Sequence, residues 1–273
     1  MGGGLGLTLG MLARAMCWFV GCTSLALTAD RAHAETSHGS LHFSHPLVSE
    51  SPSPDTKLRL DYVFFNESQG EGKTHTARLE GEFAFAPWIS LELDAPYTFR
   101  DPDGEPSENH LDTIEVGVKL ATQRFADHGL LFGGGLELGL PTGDDSRGIG
   151  SNNVLEIEPF VDFGWKFERW EVVGFLSAGV LHNQESDDAD YELGWNLSAL
   201  YHLHPRLQLL LELDGEEIQG GEEDGHTVVN LSPGLKLRPL PNQDLWLGLG
   251  VGFPLTSDKE FDARAMVSAF WHF

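Results

Sequence analysis

The last ten residues of the chain alternate between two kinds of side chain. Ala265, Val267, Ala269, Trp271 and Phe273 stand at every second position, and the residues between them are on average more polar. Successive side chains of a β-strand point to opposite faces of its sheet. The C-terminal segment therefore predicts a strand with one apolar face and one mixed face.

The same alternation recurs in twelve stretches of the chain. In the clearest of them, residues 88–99, the apolar Leu91 and Leu93 alternate with the acidic Glu92 and Asp94. Each stretch is about as long as a tilted strand must be to cross a bilayer. The stretches lie near 57–66, 74–86, 88–99, 111–121, 129–140, 153–163, 170–182, 190–201, 206–217, 226–238, 244–254 and 260–273.

The connections between these stretches alternate between short and long. The short ones include Ala86-Pro87 and residues 204–206, whereas residues 100–110 and 141–152 form long polar loops. Short turns on one side and long loops on the other are typical of bacterial outer-membrane barrels. We therefore expect an all-β fold, a transmembrane antiparallel β-barrel of about 12 strands with periplasmic N- and C-termini. Ten or fourteen strands would follow if a stretch has been split or merged.

The class of barrel also predicts its location and partners. A terminal Phe on an alternating last strand resembles the signal by which outer-membrane barrels are recognised for assembly, so Phe273 predicts contact with the barrel-assembly machinery. Alternating strands with an apolar outer face predict contact with outer-membrane lipid and lipopolysaccharide. The predicted location is the outer membrane of a Gram-negative bacterium.

The N-terminal region predicts export. Residues 1–34 have the pattern of a secretory signal peptide, with Arg14, an apolar run from Met16 to Leu27, and an Ala-His-Ala cleavage site ending at Ala34. The apolar run is too short for a transmembrane anchor, and the residues before Cys22 make a poor lipoprotein signal. Met11 is an alternative start. Residues 35–56 are then a periplasmic N-terminal segment, and residues 57–273 form the barrel.

The mature chain would be strongly acidic and free of cysteine. The leader contains both cysteines, two arginines and one aspartate, which leaves 15 basic and 41 acidic residues in 35–273. Such a charge argues against a nucleic-acid partner, because phosphate binding needs a basic surface. If the apolar positions face lipid, the charged ones line the lumen. The predicted pore-lining residues are Glu80, Glu82, Glu92, Asp94, Glu115, Glu137, Glu156, Glu158, Glu212, Asp214, Arg59, Arg78 and Arg264.

An acidic lumen attracts cations and repels anions. The sequence therefore predicts passive passage of small solutes with a preference for cations, and the neighbouring carboxylates Glu80, Glu82, Glu92 and Asp94 are the expected contact patch. The alternative is a structural or surface-binding barrel in which the charges interlock and nothing passes. No Gly-x-Ser-x-Gly or His-Glu-x-x-His motif is present in the sequence, which argues against an enzyme.

Two features predict cation binding, and no other cofactor is expected. Imidazoles suit zinc, copper or nickel, and His38, His42 and His45 would share a face if their segment were helical; the alternative is a flexible tail. Carboxylate oxygens suit hard divalent cations. The acidic clusters Asp144-Asp145, 185–190 and 222–224 in the long loops could hold such ions and bridge the loops to lipopolysaccharide, or could be solvated loop tips.

Several strand-end and turn motifs resemble one family of outer-membrane proteins. They are His45-Pro46-Leu47, Ala86-Pro87-Trp88, the Leu-Gly-Leu-Pro-Thr-Gly-Asp run over 138–144, and Gly-Phe-Pro-Leu-Thr over 252–256. Together they resemble the family labelled "MetA-pathway of phenol degradation" over roughly residues 45–273. The resemblance implies an outer-membrane barrel with a transport role, linked in some members to the uptake of aromatic compounds. It implies no catalytic residues.

Overall fold

Closure of one antiparallel sheet defines the architecture. The computed structural model describes residues 40–182, 191–220 and 225–273. Its strands are β1 (Lys57–Glu67), β2 (Gly72–Ala86), β3 (Ile89–Pro102), β4 (Glu108–Leu111), β5 (Ile114–Thr122), β6 (Leu130–Leu140), β7 (Leu155–Phe167), β8 (Trp170–His182), β9 (Tyr191–His204), β10 (Leu207–Gln219), β11 (Thr227–Leu237), β12 (Leu245–Pro254) and β13 (Phe261–His272).

These strands form twelve positions around a barrel. β4 and β5 both pair with β3, at its second half and its first half respectively, so together they fill one position in the wall. All other neighbours pair in chain order, and β1 pairs with β13 over their whole lengths. The twelve-stranded antiparallel barrel predicted from the alternation is therefore confirmed, with strand limits close to the expected ones.

The alternation of side chains divides the wall into an outer and an inner face. On β12, Leu247, Leu249 and Val251 are exposed on the outer face, whereas Arg59 and Lys119 of other strands are buried on the inner face. An outer face of this kind suits hydrocarbon, where a mid-depth Arg or Lys would cost about 2–4 kcal/mol. Charged side chains are therefore directed to the lumen.

Aromatic side chains form a band around one end of the barrel. We call this the terminal end, because β1 begins and β13 finishes there, and the opposite one the loop end. Trp170 packs on Tyr201 with ring centroids 4.8 Å apart, and Trp165 packs on Phe167 at 4.4 Å. Amphipathic rings concentrate where a membrane meets water, so this band marks one interface of the barrel.

The connections follow the expected asymmetry in part, because residues 123–129 and 238–244 form longer connections at the terminal end. At the terminal end, two-residue turns such as 168–169 join neighbouring strands, and Glu168 adopts a positive φ of 50° there. At the loop end, residues 141–154 form a longer connection that contains a 3-10 helix over Asp145–Arg147. Two other 3-10 helices span Ser68–Gly70 and Gln123–His128. Among the described residues, no helix is long and apolar enough to cross a membrane.

The outer face predicts a depth-dependent penalty for charge. Leu249 lies mid-strand on β12 and is 51% exposed, whereas Leu255 lies just beyond the same strand and is 57% exposed. Leu249→Arg should lower the free energy of unfolding in lipid vesicles by about 2–4 kcal/mol, and Leu255→Arg by only about 0–1 kcal/mol. Equilibrium unfolding in denaturant checks both values. Equal penalties for the two variants would contradict this assignment of the lipid face.

Candidate functional site

The segment before the first strand lies inside the barrel. We call residues 41–56 the plug segment. Its backbone N–H groups donate hydrogen bonds to carboxylates that belong to well-separated strands of the wall. The pairs are Ser44 with Glu171 of β8 at 2.7 Å, Leu47 with Glu212 of β10 at 2.8 Å, and Asp55 with Glu82 of β2 at 3.1 Å. Because these carboxylates lie on different sides of the barrel, the plug segment crosses the lumen.

The sequence predicted that residues 35–56 form a periplasmic N-terminal segment, and its periplasmic location stays a prediction. The described part of this segment packs against lumen-facing side chains, which its composition did not indicate. The physical reason is the supply of hydrogen-bond partners. An irregular segment must satisfy its backbone polar groups, and the acidic wall offers acceptors for its N–H groups.

Apolar contacts hold the plug segment at the terminal end. Leu47 fits a notch formed by Gly234, Gly248 and Gly250, where an added Cβ on any of the three would overlap its side chain. The space beside these glycines is therefore occupied by the plug segment. A small core results, made of Phe43, Leu47, Leu131, Val173, Leu200, Leu210 and Phe270.

An ion-pair network joins the plug segment to the wall. The Glu50 carboxylate lies 3.3 Å from Lys57 Nζ, 3.3 Å from an Arg59 Nη atom and 3.4 Å from Lys119 Nζ. Burial alone would raise the pKa of Glu50, but these three cations outweigh burial and hold the pKa well below its ordinary value. Glu50 is therefore a carboxylate that neutralises part of a cationic patch on the wall.

The same network includes three of the four carboxylates of the predicted contact patch, because Glu92 lies 3.4 Å from Lys119 Nζ. Lys57 Nζ lies 2.5 Å from Glu80 and 2.8 Å from Glu82, and both carboxylates are almost fully buried. Arg59 is also fully buried and donates to the carbonyl of Leu47 at 2.6 Å. The structure therefore uses Glu80, Glu82 and Arg59 to fasten the plug segment, and it gives them little access to a solute.

Above the plug segment lies an acidic cavity of about 360 Å³. Residues 48–50 form its floor, and its lining contains nine carboxylates and two arginines. The carboxylates belong to Glu50, Glu92, Asp94, Glu115, Glu137, Glu158, Asp214, Glu216 and Glu260, and the arginines are Arg78 and Arg264. Arg78 Nε lies 3.3 Å from Asp94, and Arg264 pairs with Asp214. Glu50 and Glu92 also pair with Lys119, which lies outside the lining, but the two arginines cannot neutralise the other seven carboxylates, so the lining carries an acidic excess.

The remaining predicted pore residues lie elsewhere. Glu212 is fully buried, accepting hydrogen bonds from the N–H groups of Leu47 and Val48 and from the Ser198 hydroxyl. Glu156 lines a separate cavity of about 490 Å³ at the loop end, together with Asp145. The structure thus brings together only part of the predicted set.

The predicted histidines meet a carboxylate of their own segment. His45 Nε2 lies 3.0 Å from one oxygen of Asp55, and His42 Nδ1 lies 3.2 Å from the other. Burial, and then the charge of Lys57, lower the pKa of His45 to about 4. Burial would raise the pKa of Asp55, but the two imidazole hydrogen bonds outweigh it and hold the pKa well below its ordinary value. His38 lies outside the described residues.

The predicted cation sites in the loops are only partly described. Asp144 accepts hydrogen bonds from the backbone and hydroxyl of Ser146 and pairs with Arg147 at 3.0 Å. These contacts give the Asp144 carboxylate a structural role as a cap. Residues 185–190 and 222–224 fall outside the described ranges, and cation binding by the loops stays a prediction.

Sequence reasoning missed the role of Glu50 and the apolar core. A signal for the core was present, because Leu210 and Phe270 put large apolar side chains on the lumen face of otherwise alternating strands. Such residues need an apolar partner inside the barrel. Glu50 gave no comparable signal, since its three cationic partners are separated from it in sequence.

Filling the glycine notch should release the plug segment. Gly248→Val would overlap Leu47, whereas Gly81→Val on β2 would meet only one atom, at 4.0 Å. A reporter Ser51→Cys is buried in the native arrangement. Maleimide labelling of this cysteine in the mature chain should rise at least about tenfold with Gly248→Val, equivalent to about 1.4 kcal/mol, and stay unchanged with Gly81→Val. Equal labelling rates would contradict the packing of Leu47.

Comparison with solved structures shows the same fold. An outer membrane channel from Pseudomonas putida F1 matches with a TM-score of 0.64 and 16% identity, covering 86% of this chain and 98% of that one. The NanC porin matches with a TM-score of 0.55 and 11% identity, covering 80% and 98%. This fold and the apolar outer face place the protein in a bacterial outer membrane.

One curated protein matches over a short region. The succinyl-diaminopimelate desuccinylase of Hydrogenovibrio crunogenus is 33% identical over 91 residues, which is 32% of this chain. The chain spans only 22% of the length of that relative. The match therefore carries no argument about activity, and the prediction that the chain is not an enzyme stays a prediction.

A family model covers most of the barrel. It matches residues 50–267 and is described as "Putative MetA-pathway of phenol degradation". The resemblance predicted from the turn and strand-end motifs is thereby confirmed, and the chain belongs to this family of outer-membrane barrels.

Proposed function

We propose that the protein is an outer-membrane channel for passive passage of small solutes, that its acidic lumen favours cations, and that the plug segment gates it. The observation that carries the proposal is the cavity with nine carboxylates and two arginines, directly above the plug segment. The similarity of this protein to channels and porins is a similarity of fold. The proposed charge preference rests on the cavity alone.

The arrangement of charge in the lumen supports a cation preference. Near the terminal end, Lys57, Arg59 and Lys119 are matched by Glu50, Glu80 and Glu82. Nearer the loop end the carboxylates outnumber the arginines, and Asp94 pairs with Arg78 through one oxygen while its Oδ1 is buried with no hydrogen-bond partner among the described residues. A buried carboxylate oxygen without a donor is costly, so a solute cation or ordered water that reaches it lowers its free energy.

The plug segment gives the proposed channel a closed resting state. Moving it would separate Glu50 from three buried cations, and breaking one buried pair costs about 3–5 kcal/mol. A cost of that size keeps the displaced form below about 1% of the molecules. The proposed channel therefore opens rarely unless a solute or another factor displaces the segment.

Weakening this attachment should raise conductance. Glu50→Gln removes the charge that pairs with Lys57, Arg59 and Lys119, so open events in planar bilayers should become at least about tenfold more frequent. Glu105→Gln removes one charge from an exposed loop and is the matched control. No conductance in either variant, although both fold, would favour the alternative of a non-conducting structural or surface-binding barrel.

The cavity carboxylates should set ion selectivity. With Glu115, Glu137 and Glu158 all changed to Gln, the cation-to-anion permeability ratio under a salt gradient should fall by about threefold or more. A control with Glu71→Gln, Glu105→Gln and Asp127→Asn removes the same charge from exposed positions. Anion selectivity of the unaltered protein, or an equal effect of both triple variants, would overturn the proposed preference.

A second candidate solute class is small aromatic compounds, as the family description suggests. One observation favours it: Trp195 and Phe175 line the cavity beside the carboxylates. Aromatic rings stack on such side chains, and a cationic group on the solute would gain from ring and carboxylate alike. The measurement is the passage of a small cation in the presence of an aromatic amine or of an uncharged phenol. The compound that reduces this passage shows which of the two solute classes competes with the cation.

A further inference from the structure

A cluster of histidines and one carboxylate lies at the terminal end, below the acidic cavity. His45 and Asp55 belong to the plug segment, and His272 belongs to the end of β13. One ligand atom from each of the three residues lies within 4.8 Å of the others. The cluster thus joins residues from opposite ends of the described chain.

The spacing of these atoms suits a small metal ion. Zinc binds imidazole nitrogen and carboxylate oxygen at about 2.0–2.2 Å in a tetrahedral arrangement, which puts two ligand atoms roughly 3.3 Å apart. His45 Nε2 and Asp55 Oδ2 are 3.0 Å apart. The His45 and His272 rings have centroids 5.5 Å apart and are tilted by 33°, so they are not stacked face to face.

We propose that His45, Asp55 and His272 form a transition-metal site of the zinc class, which ties the plug segment to the last strand. His42 supports the site from outside, because its Nδ1 lies 3.2 Å from the second oxygen of Asp55. A hydrogen bond of this kind orients a ligating carboxylate. Three protein ligands leave a fourth position for water or for a group from a solute.

The other ring nitrogen of His45 does not bear on the assignment. His45 Nδ1 is buried and has no hydrogen-bond partner in the part of the chain that the structure describes. A metal on Nε2 leaves Nδ1 as it is, so the assignment rests on the spacing of the three ligand atoms.

Neighbouring charges limit the affinity and the choice of metal. Lys236 Nζ donates to the His45 carbonyl at 2.5 Å, and its charge opposes a nearby cation. Lys57 is also close, but it is neutralised by Glu50, Glu80 and Glu82. Two imidazoles and one carboxylate favour zinc, copper or nickel over calcium or magnesium, which prefer all-oxygen sites.

A group of carboxylates nearby does not make a comparable site. Oxygens of Glu50, Glu80, Glu82 and Glu92 also lie within 4.8 Å of one another. However, Lys57 and Lys119 already occupy the space between them. A metal there would have to displace two buried ammonium groups, whereas among the described residues Asp55 forms its ion pairs with His42 and His45 and with no Lys or Arg.

Zinc binding to the protein purified from outer membranes tests this site. After removal of bound metal with a chelator and dialysis against zinc, elemental analysis should find one zinc ion retained per chain. His45→Ala and His272→Ala should each weaken binding at least about tenfold. His128→Ala removes an exposed imidazole near the same end of the barrel and should bind like the unaltered protein.

The variants also separate a specific site from other outcomes. His272→Ala alters only a wall side chain, so its folding can be verified by heat-modified migration on a gel even if His45→Ala disturbs the plug segment. No retained zinc in the unaltered protein would overturn the proposal. Retained zinc that neither variant reduces would overturn it too, because the ion would then sit elsewhere, for example on loop carboxylates.

Metal binding has a consequence for gating that rests on the proposed function. An ion bound to the plug segment and to β13 stabilises the closed state, so zinc should reduce open events of the Glu50→Gln variant at least about fivefold. Additional His272→Ala should abolish this effect. Zinc retention without any conductance would support the metal site and contradict the proposed channel. The two proposals can therefore be tested independently of each other.

Discussion

Lipid offers no hydrogen bonds, and this constraint shapes the whole molecule. Each backbone N–H and C=O of a membrane wall must be paired inside the wall, so a sheet that spans the bilayer has to close. Pairing of β1 with β13 achieves that closure here. Closure then fixes the direction of every side chain, because one face of each strand must meet hydrocarbon. Within the bilayer, charged residues can lie only in the lumen, where they need partners.

The two halves of the lumen meet this demand differently. At the terminal end, the plug segment contributes apolar side chains to the core and the Glu50 carboxylate to the ion pairs. Its backbone N–H groups donate hydrogen bonds to Glu82, Glu171 and Glu212. This half is built like the interior of a soluble protein, with charges in pairs. At the loop end, carboxylates outnumber cations around an open cavity. Both halves contain buried polar atoms that have no hydrogen-bond partner among the described residues, such as His45 Nδ1 in the first and Asp94 Oδ1 in the second.

Most of the wall could be predicted from the sequence, because strand parity is a local property. A membrane strand needs about ten alternating residues, and runs such as 88–99 show this pattern without reference to any other part of the chain. The inward direction of Glu80, Asp94 and Arg59 follows from parity in the same way. The division of β4 from β5 did not follow, since it depends on the local path around Asp112 and Thr113.

The plug segment could not be predicted, because its structure depends on contacts across the barrel. Residues 41–56 have no periodicity, and their composition alone is that of an exposed tail. What holds them is Leu47 in a notch built from β11 and β12, and Glu50 between cations of β1 and β5. The glycines of the notch are more than 180 residues away from Leu47 along the chain. Lys119, the most distant of the three cations, is about 70 residues away from Glu50. The same holds for His45 and Asp55 with His272.

The ion pairs that attach the plug segment bear on its proposed gating. Buried ion pairs are often no more stabilising than apolar packing of similar volume, so stability alone does not account for placing Glu50 among Lys57, Arg59 and Lys119. Ion pairs differ from apolar packing in being sensitive to other charges. In the proposed channel, a cation that enters the acidic cavity directly above would compete with these side chains for Glu50, and a metal at the proposed His45 and His272 site would have the opposite effect by fixing the segment. A plug held by charge can therefore respond to the charge of a solute, which a plug held by packing alone cannot do.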